Sequence, residues 1–89
     1  MIPARELFVA AFGTFARLEL VDTDCASLGL SMEPPVEAEA HPGVWERGAE
    51  AGRQFGAALT ALDPGADERT SPDALRHAAN LMADGLGLP

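Results

Sequence analysis

The stretch LFVAAFGTFARLEL, residues 7 to 20, decides the fold, because its apolar residues fit two different periodicities. In an antiparallel hairpin, Gly13-Thr14 would form a two-residue type II′ turn, whose first residue has positive φ. Val9 would then pair with Leu18, and alternate residues of both strands would share one apolar face. We favour this interpretation, which predicts a half-buried sheet at the N-terminus.

The same stretch also fits a single helix from Pro3 to about Leu20. Phe8, Phe12 and Phe15 recur at helical spacing, so in a helix they would lie together in the core. In the sheet, the three rings lie on the opposite, otherwise polar face, where aromatic side chains indicate an interaction patch. The two interpretations therefore predict opposite environments for the phenylalanines.

Further strands are expected to extend the sheet. A turn at Thr23-Asp24-Cys25 would return the chain through Ala26–Met32, antiparallel to the strand before it. After Pro34-Pro35, the segment Val36–His41 alternates again and fits either a short edge strand or an extended linker.

The second half of the chain is expected to be helical. A periodic run extends from Val44 to about Leu62, with Asp63-Pro64-Gly65 ending it. Ser71-Pro72-Asp73 then supply an N-cap, a proline at the first helical position and an acid in the first turn of a second helix. The expected buried stripes are Trp45, Ala49, Phe55, Leu59 and Leu62 in the first helix and Leu75, Ala78, Ala79 and Met82 in the second.

Together these elements predict a small two-layer α+β fold. An N-terminal antiparallel β-meander of three or four strands is covered by the two C-terminal α-helices. The chain has 89 residues, which is the size of one domain spanning 1–89.

Gly48, Gly52 and Gly56 recur every four residues along the first predicted helix. Each costs about 1 kcal/mol of helix stability relative to alanine, so a compensating contact is expected. Three glycines on one face indicate the close approach of another backbone. We favour packing within the chain, with a dimer interface as the alternative.

The charge of the chain is strongly negative and unevenly distributed. The net charge is −8, and eight of the 14 acidic residues but only Arg47 among the six arginines lie between Glu19 and Glu50. Such a field repels nucleic acids and anionic membranes and favours a basic partner. The sequence has one cysteine, no evident signal peptide and no apolar run long enough to cross a bilayer. These features predict a cytoplasmic protein.

The acidic segment contains few arrangements of side chains that fit a metal site or a catalytic site. Glu37, Glu39 and His41 would share one side of an extended strand and could approach a metal ion, but a metalloprotease or zinc-finger spacing is absent. Cys25 follows Asp24, whose charge raises the pKa of a thiol and opposes nucleophilic activity. We therefore expect no enzyme activity, no cofactor and no metal.

The function predicted from the sequence is a small acidic, non-enzymatic protein-binding module with a basic protein partner. By analogy of size and charge alone, it could block the groove of a nucleic-acid-binding protein, as phage-encoded inhibitors such as anti-CRISPR proteins do. The predicted partner-binding residues are Glu19, Glu33, Glu37, Glu39, Phe8, Phe12 and Phe15. The alternative is an accessory or homodimeric ligand-binding protein of bacterial metabolism, with a pocket between sheet and helices.

Overall fold

The computed structural model describes residues 2–21 and 32–89, and all regular structure in these two ranges is helical. The elements are α1 (Ala4–Val21), a 3-10 turn (Val36–Ala40), α2 (Val44–Leu62), the short α3 (Ala66–Arg69) and α4 (Pro72–Gly85). The predicted α+β class and its β-meander are therefore wrong.

The correction centres on α1, which runs without interruption through Gly13 and Thr14. Among the described glycines, positive φ occurs only at Gly43 and Gly87, so the predicted type II′ turn at Gly13 is wrong. The alternative of one helix from Pro3 to about Leu20 is confirmed. The buried residues of α1 are Ala4, Leu7, Phe8, Ala11, Phe12, Phe15, Ala16 and Leu20, a spacing that alternation along a strand cannot produce.

The predicted edge strand at Val36–His41 is also wrong, since Val36–Ala40 forms the 3-10 turn. Val36, expected on the covered side of that strand, is 75% exposed. The predicted turn at Thr23-Asp24-Cys25 and residues 26–31 of the strand after it lie outside the described residues.

The two long C-terminal helices are confirmed at Val44–Leu62 and Pro72–Gly85. Ser71 caps α4 as predicted, because its Oγ accepts a hydrogen bond from the backbone N–H of Ala74 at 3.1 Å. The predicted stripes are correct for residues such as Trp45 and Leu75, which are buried, but wrong for Leu62 and Met82, which are 84% and 37% exposed.

Helix α2 lies against α1 through the glycine ridge, by which we mean Gly48, Gly52 and Gly56. A Cβ atom on Gly48 would lie 2.6 Å from the carbonyl oxygen of Phe8, and one on Gly52 would lie 2.4 Å from that of Phe12. Both residue numbers increase together along the contact, so α1 and α2 run in the same direction. The predicted close approach of another backbone is confirmed, and the backbone is that of α1.

Helix α4 packs on another side of α1 and runs in the opposite direction. Arg5, in the first turn of α1, donates hydrogen bonds to the carbonyl oxygens of Asn80 and Leu88 at 3.1 and 2.9 Å and forms an ion pair with Asp84. The start of α1 therefore lies beside the end of α4.

Because α1 is central, it contributes to two clusters of buried side chains. The first joins α1 to α4 and consists of Phe8, Phe12, Ala16, Leu20, Ala66, Leu75, Ala79 and Ala83. The second joins α1 to the start of α2 and consists of Leu7, Ala11, Phe15, Trp45 and Ala49, with Ala38 of the 3-10 turn packed against it. No helix in the described ranges is both long and apolar enough to span a membrane.

Candidate docking groove

The three phenylalanines predicted to form an interaction patch belong to the core. Phe8, Phe12 and Phe15 are only 1%, 0% and 5% exposed. The rings of Phe12 and Phe55 lie 5.2 Å apart between centroids, and Phe15 meets the edge of Trp45 at 6.5 Å. The patch depended on the sheet, so this part of the predicted site is wrong.

The predicted acidic residues are exposed, but the fold separates them. Glu37 and Glu39 lie on the 3-10 turn, which His41 ties to the start of the chain by donating from Nε2 to the carbonyl oxygen of Ile2 at 2.8 Å. Glu19 lies near the other end of α1, where its Cβ is the nearest atom to a Cβ built on Gly56. At a rise of 1.5 Å per residue, about 22 Å of helix lies between the start of α1, beside His41, and Glu19.

Glu33, the remaining acid of the predicted site, is exposed just before the 3-10 turn. In the described ranges, no group of three or more His, Cys, Asp or Glu side chains is placed to hold a metal ion. Asp24 and Cys25, at which no nucleophilic activity was expected, lie outside the described residues.

A wide concave surface in the described part of the chain is a groove between α2 and α4. Both helices pack on α1 but hardly contact each other, and the space left between them has a volume of about 760 Å³. Phe8 of α1 forms the floor. The docking groove, as we call it, has Ala51, Phe55 and Ala58 on its α2 wall and Met82, Gly85 and Leu86 on its α4 wall.

The walls of the docking groove expose apolar side chains to solvent. Met82 is 37% exposed and Leu86 is 50% exposed, although a buried site for either would stabilise the fold by roughly 1.5 to 3 kcal/mol. Contiguous exposed apolar surface of this kind is typical of binding sites. Phe55 and Met82 both belong to the predicted buried stripes, but the sequence pattern carries no signal for the opening between their helices.

Polar side chains line only the outer edge of the α2 wall, and two of the three are engaged with each other. Glu50 accepts hydrogen bonds from Arg53 at 2.9 Å and from Gln54 at 3.0 Å, one on each carboxylate oxygen. These bonds, the one from Arg53 first, hold the pKa of Glu50 below its ordinary value. The negative charge of Glu50 is therefore already compensated.

Arg47, the third polar residue of the groove, has no ion pair within residues 2–21 and 32–89. Four of the six arginines do, since Arg5, Arg53, Arg69 and Arg76 each contact a carboxylate. Arg17, which also has no ion pair with a described residue, lies away from the groove, between α1 and the start of α4. The docking groove is thus an apolar surface with one uncompensated positive charge at its edge.

Comparison with known proteins gave no match. No family model fits the chain, and no curated protein and no solved structure is significantly similar to it. The function is therefore argued from the geometry of the molecule.

Proposed function

We propose that this chain is a small, non-enzymatic protein-binding module that receives an amphipathic helix of its partner in the docking groove. The observation that carries the proposal is the opening between α2 and α4, whose walls are apolar and exposed while the floor is the buried ring of Phe8. Helices bind such grooves by burying one apolar face between two walls.

The length of the groove suits a helix. Its α2 wall extends from Arg47 to Ala58, which corresponds to about 16 Å at 1.5 Å per residue. That length matches about three turns of an incoming helix, enough for apolar side chains at positions i, i+4 and i+7. Met82, in the last turn of α4, and Leu86, directly after the helix, would contact the same apolar face from the other side.

The charge of the chain supports a partner that is basic outside the docked helix. With a net charge of −8, the protein attracts cationic surfaces over distances of about 8 Å at physiological salt. The narrower idea of a nucleic-acid mimic has less support, because Glu19 lies at the opposite end of α1 from His41, which follows the 3-10 turn of Glu37 and Glu39. The ligand-binding alternative has less support, because its pocket was expected between the helices and a sheet that the described residues do not form.

A labelled model peptide tests the proposal. The probe is an acetylated and amidated helix of about four turns, with leucines along one face and glutamine and lysine on the other. We expect saturable binding by fluorescence anisotropy. Met82→Asp and Leu86→Asp should each weaken it roughly tenfold or more, because each places a charge on an apolar wall.

Leu62→Asp is the matched control, since Leu62 is 84% exposed at the end of α2 and does not line the groove. It introduces the same charge and should leave the affinity for the peptide within about twofold of wild type. The proposal fails if the peptide does not bind saturably, or if Leu62→Asp weakens binding as much as the two groove variants do.

A further inference from the structure

Resting on the proposed function, we infer that the docked helix carries a carboxylate that pairs with Arg47. The inference concerns the chemistry of the partner helix, namely an apolar face that ends in an aspartate or glutamate. It is argued from the charges that line the docking groove.

The first step is that, among the described residues that line the groove, Arg47 alone carries an uncompensated charge. Glu50, which also lines it, already accepts one hydrogen bond on each carboxylate oxygen, from Arg53 and Gln54. Arg53 in turn lies over the ring of Phe15, 4.9 Å from its centroid, and does not line the groove. A cationic residue of the partner would therefore find no free carboxylate here, whereas an anionic residue would find the guanidinium of Arg47.

The second step is that Arg47 lies at one end of the groove. It precedes Ala51, Phe55 and Ala58 on the α2 wall, so an apolar face resting on those residues would reach Arg47 only at its own end. A guanidinium can hold a carboxylate by two parallel hydrogen bonds, which fixes direction as well as adding affinity. Arg47 would thus set which way the partner helix lies.

The third step is that the contact at Arg47 and the overall charge of the chain act at different stages of binding. The net charge of −8 acts at long range and accelerates the approach of basic proteins, and salt weakens that effect. A pair formed at Arg47 acts only after docking, at the edge of an apolar contact that excludes water. A partner can therefore be basic overall and still place one acid beside Arg47.

The experiment compares the leucine-faced peptide described above in three forms. The three forms differ in one residue, one turn beyond the leucines, which is glutamate, glutamine or lysine. Each form is made twice, once with that residue at the N-terminal end of the peptide and once with it at the C-terminal end. We expect one of the two glutamate placements to bind wild type roughly three- to fivefold more tightly than its glutamine form. The corresponding lysine form should bind more weakly than the glutamine form.

Two variants of Arg47 test whether the preference for glutamate depends on that residue. Arg47→Gln should abolish the preference for glutamate, and Arg47→Glu should reverse it in favour of lysine. Arg17→Gln is the matched control, because it removes the same charge from an unpaired arginine outside the groove, and it should keep the preference.

The outcomes distinguish this inference from the proposal on which it depends. If all forms bind wild type equally, or if Arg17→Gln and Arg47→Gln remove the preference alike, the pairing with Arg47 is wrong and the helix-docking function stands. If no form binds saturably, both are wrong.

Discussion

Of the described glycines, Gly52 leaves the least room for a side chain between α1 and α2. An added Cβ would lie 2.4 Å from the carbonyl oxygen and 3.0 Å from the Cα of Phe12, and neither backbone atom can move without displacing α1. The sequence predicted such an approach, because three glycines at four-residue intervals each cost helix stability with no local benefit. It did not identify α1 as the approaching backbone, because the residues of α1 were expected to form a sheet.

We predict that Gly52→Ala destabilises the protein by about 2 kcal/mol or more, since the clash exceeds the gain in helix propensity. Gly13→Ala is the matched control, because Gly13 lies within α1 and an added Cβ would have no atom within 4 Å. It should stabilise the protein by about 0.5 to 1 kcal/mol. Urea unfolding followed by Trp45 fluorescence measures both, and equal effects of the two substitutions would contradict the packing described here.

At the scale of elements, the outer helices were predictable and the central one was not. Helices α2 and α4 each have a polar face towards solvent, so their apolar residues recur at helical intervals and mark the covered side. Helix α1 is covered on two sides, so neighbours such as Leu7 and Phe8 are both buried. A helix buried on several faces loses its clear periodicity, and the remaining alternation resembles that of a strand.

The start of α4 was predictable because it depends on local chemistry. The side chain of Ser71 accepts from the N–H of Ala74 at 3.1 Å, and Pro72 occupies the first turn. We predict that Ser71→Ala destabilises the protein by about 1 kcal/mol, because it leaves that N–H without its partner. Ser71→Asp should retain most of the stability, since a carboxylate also caps and favours the helix dipole. Thermal unfolding measures both, and equal losses would exclude a capping role.

At the scale of the whole molecule, the docking groove arises from how far α2 and α4 diverge on α1. Sequence patterns identify the residues of each wall, such as Phe55 and Met82, but they carry no information on the angle between two helices that hardly touch. The acidic residues could be counted from the sequence, yet their separation along α1 depends on the same geometry. What remains predictable at this scale is the effect of the total charge.

The size of the molecule determines how far its charges act on each other. Its principal extents are 37, 29 and 18 Å. At about 0.01 M salt the screening length is about 30 Å, so most of the excess negative charges repel one another, whereas at about 1 M it is about 3 Å and only direct neighbours interact. The ion pairs weakened by salt each have at least one exposed partner, so each contributes little to stability.

We therefore predict that the melting temperature rises between about 0.01 and 1 M sodium chloride, since relief of repulsion outweighs the loss of ion pairs. Glu37→Gln/Glu39→Gln should raise the melting temperature at low salt and reduce the rise, because the 3-10 turn holds two exposed acids and no arginine. Asp67→Asn/Glu68→Gln removes the same charge but should have a smaller effect, because Arg69 lies in the same turn and interacts with Asp67. Equal effects of the two pairs would mean that only the total charge matters, and a melting temperature that falls with salt would contradict the dominance of repulsion.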